Sequence, residues 1–161
     1  MSGATTTFAL EVTVNGRPRR LEVDPGETLL SLLRERLELT GAKRGCNQGV
    51  CGACTVLLDG KPVRACLTVA ASCGGAEVET AEGLLEGNRL SALQQALVAK
   101  GAVQCGYCTP GMAVALSALL RETPLPSREE VREAISGHLC RCSGYAKIVD
   151  AAVSVAEMEQ A

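Results

Sequence analysis

Cys46-Asn-Gln-Gly-Val-Cys51-Gly-Ala-Cys54-Thr-Val-Leu-Leu-Asp-Gly60-Lys-Pro-Val-Arg-Ala-Cys66 is the stretch that decides the fold. Its thiols run C-x4-C-x2-C, and a fourth follows after eleven residues. The first three sit in a loop rich in Gly41, Gly45, Gly49 and Gly52. The fourth closes a hairpin, because Thr55–Leu58 and Lys61–Arg64 flank the turn Asp59-Gly60. Gly45, Gly49 and Gly52 permit positive φ and let the backbone approach the sulfurs closely.

Upstream, Phe8, Leu10, Val12 and Val14 alternate with Ala9, Glu11 and Thr13, which predicts a strand with one buried face. Asn15-Gly16 is a hairpin turn, with Leu21 and Val23 on the return strand. Pro25-Gly26 ends that strand, and Thr28 caps a helix carrying Leu29, Leu32, Leu33 and Leu37. Hairpin, helix, cysteine loop and hairpin are the parts of a β-grasp domain. The cysteine spacing is that of plant-type [2Fe–2S] sites.

The texture changes after Gly74-Gly75. Leu90, Leu93, Leu97 and Val98 recur at helical spacing around Ser91–Lys100. Thr109-Pro110 reads as a cap and a first helical residue, ahead of a stripe of Met112, Ala115, Leu116, Leu119 and Leu120. Pro124 and Pro126 stop that helix, and Ser127–Glu130 is a capping-box pattern ahead of Val131, Ala134 and Ile135. Ile148, Val149, Ala152, Val153 and Ala156 form a last stripe. The expected class is α+β. A β-grasp domain over residues 1–79 precedes an all-α bundle of about four helices over 80–161, with the boundary near 75–82.

The helical half carries a second thiol set, Cys105, Cys108, Cys140 and Cys142, a C-x2-C and a C-x-C separated by 31 residues. Spacing alone leaves two readings open: an iron–sulfur centre, or a zinc site closed by four thiolates.

Bulk properties exclude several functions. The net charge is −2, with nine basic and nine acidic residues up to residue 79 and seven basic and nine acidic after it. No basic stretch interleaved with aromatics suggests nucleic acid. No apolar run is long enough to span a bilayer. The first seven residues carry no export signal, and Arg19-Arg20 leads into Leu-Glu-Val-Asp-Pro, so a cytoplasmic chain is expected. Cysteines there read as metal ligands rather than disulfides. One Phe, two Tyr and no Trp make a thin core, which metal centres commonly supplement. Neither a dinucleotide nor a P-loop glycine motif occurs, nor a nucleophile–histidine pair.

Three segments add a resemblance. Gly49-Val-Cys51-Gly-Ala-Cys54-Thr55-Val56, Gln104-Cys-Gly-Tyr-Cys108-Thr-Pro-Gly111 and His138-Leu-Cys140-Arg-Cys142-Ser-Gly-Tyr145 closely resemble the iron–sulfur subunit of the xanthine dehydrogenase family of molybdenum hydroxylases. The resemblance spans roughly residues 8–156 and implies two [2Fe–2S] clusters. It implies that Cys46, Cys51, Cys54 and Cys66 hold the cluster nearer an FAD in a medium subunit. Cys105, Cys108, Cys140 and Cys142 would hold the cluster nearer the molybdopterin of a large subunit. Gln104 and the backbone of Cys142 would contact the pterin. Single electrons would pass from molybdenum through both clusters to FAD, in a dimer of heterotrimers, with no substrate site in this chain. The chain ends at Ala161, shortly after the last expected helix, so separate subunits are expected. The alternative is a stand-alone two-cluster ferredoxin-type carrier.

Two departures and several remaining residues complete the reading. The family usually has Asn at His138 and Thr at Ser143. With four thiolates at hand, His138 reads as a packing or capping residue. Cys73 fits neither set and reads as a small buried hydrophobe. Tyr107 and Tyr145 are expected to shield the centres from water, and Met112 belongs to the core. Lys43, Arg44 and Arg141 flank ligands and can offset thiolate charge.

Overall fold

A computed structural model describes residues 6–158. Residues 1–5, where most of the export-signal reading falls, and residues 159–161 lie outside it. One mixed sheet of five strands has the order β2-β1-β5-β3-β4. Strands β1 (Phe8–Val14) and β2 (Arg17–Val23) pair antiparallel, from Phe8 opposite Val23 to Val14 opposite Arg17. Asn15 and Gly16 both take positive φ, 50° and 72°, as the expected turn requires. Strands β3 (Thr55–Leu58) and β4 (Lys61–Arg64) repeat the device around Asp59 and Gly60.

The middle strand, β5 (Glu77–Glu79), was not foreseen. It runs parallel to β1 and antiparallel to β3. Three residues with Val78 as the lone apolar one give alternation nothing to work on.

Thr28 caps α1 (Leu29–Ser31), its hydroxyl accepting Ser31 N–H at 3.2 Å. The helix expected to continue to Leu37 widens at once into a π turn over Leu32–Arg36, where Leu37 N–H reaches Leu32 O. Leu29, Leu30, Leu32 and Leu33 fill the first core with Leu10, Val12, Val14, Val23 and Val56. Phe8 departs from the expected buried face: it is 49% exposed, at the first position of β1 where cover runs out.

The second half holds α2 (Ala92–Ala99), α3 (Thr109–Glu122), α4 (Arg128–Ala134) and α5 (Ala146–Met158). Both Ser91 with Gln94 and Ser127 with Glu130 form capping boxes. Two expectations need correcting. The cap of α3 is Cys108, not Thr109; Thr109 and Pro110 are its first two residues, where a missing N–H is harmless. On α2 only Leu93 and Leu97 are buried; Val98 is 60% exposed and Leu90 precedes the helix.

The halves are not strung apart. Leu57 of β3 belongs to the core that Leu93, Met112, Leu116, Ile148 and Val149 build. Gly111 of α3 lies against the first cysteine loop so tightly that a Cβ there would collide with Gly52 O.

Candidate metal centres

The approach to the first loop is fixed by Arg34 of the π turn, whose guanidinium donates to Thr40 O and Ala42 O, both at 2.8 Å. Lys43 N–H donates to Ala53 O across the loop. At Gly45 a Cβ would stand 2.8 Å from Cys51 Sγ, so the missing side chain makes room for sulfur rather than for a positive φ. Cys46 Sγ accepts N–H groups from Cys51 (3.4 Å) and Gln48 (3.3 Å). Those donors, Cys51 foremost, pull the Cys46 thiol down to about 6. Cys54 and Cys66 lie deeper, both buried and in mutual contact. Burial pushes Cys54 up to about 11, against the lowering pull of the Cys66 backbone N–H.

The second set repeats this split. Cys105 and Cys142 are exposed, with sulfurs 3.6 Å apart. Cys108 and Cys140 sit half-buried against one another. Burial drives Cys108 up to about 12. Burial also acts upward on Cys140, but the Ser143 hydroxyl (3.1 Å) and N–H (3.3 Å) outweigh it and bring the thiol to about 7. Tyr145, at φ 68°, places its hydroxyl to accept Cys140 N–H at 2.9 Å and donate to His138 O at 3.1 Å. Gln104 Nε2 donates to Cys142 O at 3.1 Å.

Each set is therefore two sulfur pairs, one outer and one inner. Among the described residues no three His, Cys, Asp or Glu side chains converge on a single-ion position. A closed zinc site asks four sulfurs to meet at one point, about 2.3 Å from each. A binuclear centre asks for two thiolates per iron, which is the arrangement present. The 3.6 Å between Cys105 and Cys142 suits two thiolates on one tetrahedral metal, which stand about 3.8 Å apart. The donor N–H groups at Cys46 and Cys140 favour thiolate, the form that ligates. The residues fit two [2Fe–2S] groups.

Charge around the sites is shared between the halves. Arg34, Lys43 and Arg44 line a cleft with Cys105, Gly106 and Tyr107. Arg44 also pairs with Glu35 at 2.6 Å, and Lys43 Nζ donates to Thr40 O. Tyr107 donates its hydroxyl to Arg44 O at 2.7 Å, so it ties the second set to the first loop.

His138 is buried, 3% exposed, between the two sets. Burial first, then the Arg64 guanidinium, lowers it to about 4, so the imidazole is neutral at neutral pH. Its Nε2 lies 2.9 Å from Thr55 Oγ1. Arg64 reaches the same oxygen at 2.7 Å and Gly137 O at 2.7 Å. Sequence reasoning singled out neither Thr55 nor Arg64, which looked like ordinary strand residues. Their partners lie 83 and 73 residues away, beyond any local pattern.

Comparison with known proteins finds [2Fe-2S] domains over both halves. Residues 12–83 match the family model described as a 2Fe-2S iron-sulfur cluster binding domain, and residues 80–153 the one described as a [2Fe-2S] binding domain. The chain is 51% identical over 142 residues to the nicotine 6-hydroxylase small subunit of Paenarthrobacter nicotinovorans, covering 88% of this chain and 86% of that one. It is 48% identical to the xanthine dehydrogenase iron-sulfur-binding subunit of Escherichia coli O157:H7, covering 89% and 91%. The crystal structure of quinoline 2-oxidoreductase from Pseudomonas putida 86 superposes with a TM-score of 0.91 at 49% identity, covering 96% of each chain. Among the described residues no helix is long and apolar enough to cross a membrane.

Proposed function

This chain belongs to the iron–sulfur subunits of the xanthine dehydrogenase family of molybdenum hydroxylases, and we propose that its eight paired cysteines are the ligands of its two clusters. Residues 1–79 with Cys46, Cys51, Cys54 and Cys66 form one unit, braced by Thr80 and Glu82 just beyond it, and residues 80–161 with Cys105, Cys108, Cys140 and Cys142 the other. The observation that carries this is the division of each set into an outer and an inner sulfur pair.

A [2Fe–2S] cluster takes up and returns one electron without bond rearrangement. The chain's own residues make that exchange possible. Backbone N–H groups of Gln48, Cys51 and Ser143 hold thiolates in place and offset their charge. Burial of Cys54, Cys66 and the Cys108–Cys140 pair keeps water from the inner sulfurs. The outer pair Cys105–Cys142 faces outward, as a contact with a partner's cofactor requires.

The partners are a large subunit carrying molybdopterin and a medium subunit carrying FAD, assembled as a dimer of heterotrimers in the cytoplasm. Cys105, Cys108, Cys140 and Cys142 face the molybdenum side, and the other set faces FAD. Gln104, held by its bond to Cys142 O, presents its amide oxygen to the pterin. Electrons relay singly through this chain, and substrate chemistry stays with the large subunit.

The test is purification from the native source, with iron analysis and EPR. Recovery with two larger chains and two EPR signals is expected. Replacing Cys140 by Ala should remove one signal and leave the other. Recovery of the chain alone would favour a diffusible carrier. Survival of both signals in the Cys140 variant would overturn the ligand assignment.

A further inference from the structure

We propose that the Arg64–Thr55–His138 knot is a positioning device that sets the spacing between the two cysteine sets, and so how readily an electron crosses from one to the other. This rests on the ligand assignment above. Several bonds converge on one oxygen. Thr55 Oγ1 donates to Gly52 O at 2.7 Å, accepts from Arg64 at 2.7 Å and lies 2.9 Å from His138 Nε2. With its proton committed to Gly52 O, the hydroxyl can only accept from the ring, which places the imidazole proton on Nε2. His138 Nδ1 is then a bare lone pair, with no hydrogen-bond partner among the described residues.

The members of the knot all border ligands. Gly52 follows Cys51, Thr55 follows Cys54, Arg64 precedes Cys66 by two, and His138 precedes Cys140 by two. Beside the knot, Leu139 N–H donates to Cys51 O at 2.9 Å. That one hydrogen bond joins a ligand of the first set to the neighbour of a ligand of the second. Gly52 sits where a Cβ would stand 2.6 Å from His138 Cδ2 and 2.7 Å from Gly137 O. The two ligand loops therefore meet backbone to backbone.

An apolar contact would join the halves at least as strongly, since burying polar groups costs desolvation. A hydrogen-bonded knot adds direction: it admits one register of the loops, where apolar packing tolerates sliding.

The experiment uses the full chain, loaded anaerobically, with Thr55→Val, Arg64→Met and Thr55→Ser. Valine keeps the shape of Thr55 and removes the shared oxygen. Methionine keeps the stem of Arg64 and removes its donors. Both should retain about four irons per chain and both EPR signals, while the magnetic splitting between the two reduced centres is lost or reduced. Thr55→Ser should restore it. Unchanged splitting in both variants overturns the proposal. Iron loss confined to the first set in Thr55→Val also overturns it, since Thr55 would then only build its own loop. Should Thr55→Val fail to fold, Arg64→Met decides alone. Failure of the ligand assignment is distinguishable, because the unaltered chain would itself hold fewer than about four irons.

Discussion

Replacing Gly52 with alanine combines two strains that two other glycines show separately. Gly52 has φ 74°, and a Cβ there would meet His138 Cδ2 at 2.6 Å and Gly137 O at 2.7 Å. Gly60 has φ 78° with nothing within 4 Å of a Cβ. Gly111 lies in α3 with no positive φ, yet its Cβ would run into Gly52 O. Left-handed backbone costs an ordinary residue about 1–2 kcal/mol. An added methyl in a close-packed contact costs about 1–3 kcal/mol. Gly60→Ala should therefore lose about 1–2 kcal/mol. Gly111→Ala should lose the contact term less the helical gain of about 0.5–1 kcal/mol. Gly52→Ala should lose both terms, about 2–5 kcal/mol, a large part of the usual margin of stability. For a chain of this size each kcal/mol moves Tm by about 2–4 °C. The assay is thermal unfolding of the iron-loaded chain at one fixed scan rate, since bound metal makes the transition other than two-state. The expected order is Gly52→Ala well below Gly60→Ala. Equal losses at Gly52 and Gly60 would refute the close contact of the first loop with Gly137 O and the His138 ring.

Cys73 is fully buried, and burial raises its thiol pKa. Its contribution to stability is complete below the unfolded cysteine value of about 8.5 and is lost as pH rises through the higher folded value. Tm should fall on the alkaline side, and Cys73→Ala should lack that share of the slope; identical slopes refute the reading. The Arg121–Glu79 pair joins α3 to β5 through both terminal guanidinium nitrogens, but the arginine is largely exposed. Arg121→Ala should cost about 0.2–1 kcal/mol, and chemical denaturation with added salt should shrink the difference. Gln104→Ala should keep the iron content while substrate reduces the second centre of the assembled enzyme more slowly. Iron falling by half would make Gln104 a structural support of its set instead.

What the sequence made legible was local. Asn15-Gly16 and Asp59-Gly60 dictate their hairpins through backbone geometry alone, and both turned out as read. The spacing of the first cysteine set pointed to iron–sulfur chemistry by itself, whereas the C-x2-C and C-x-C of the second left zinc open until the residues around them were read as well. Periodicity showed which face of an element is apolar but not how far neighbours cover it, so Phe8 and Val98 were misplaced. Strand β5 was invisible because its identity comes from β1 and β3 on either side, not from its own three residues. The contacts of His138 were hidden for the same reason, since its partner Thr55 lies 83 residues away. The pairing of sulfurs into outer and inner couples likewise appeared only when the loops were folded together.

The place of β5 limits how this chain can be divided. A fragment meant to carry only the first centre cannot stop at Gly75, where composition shifts, because the sheet would then lack its middle and β1 would part from β3. It must run on at least through Thr80, whose N–H and hydroxyl clasp the Asn15 amide across the turn. Even so it would bare Leu57, a side chain that the other half normally covers. A genetic fusion or split joint belongs beyond Glu82, whose carboxylate still braces Gly41 at 2.6 Å.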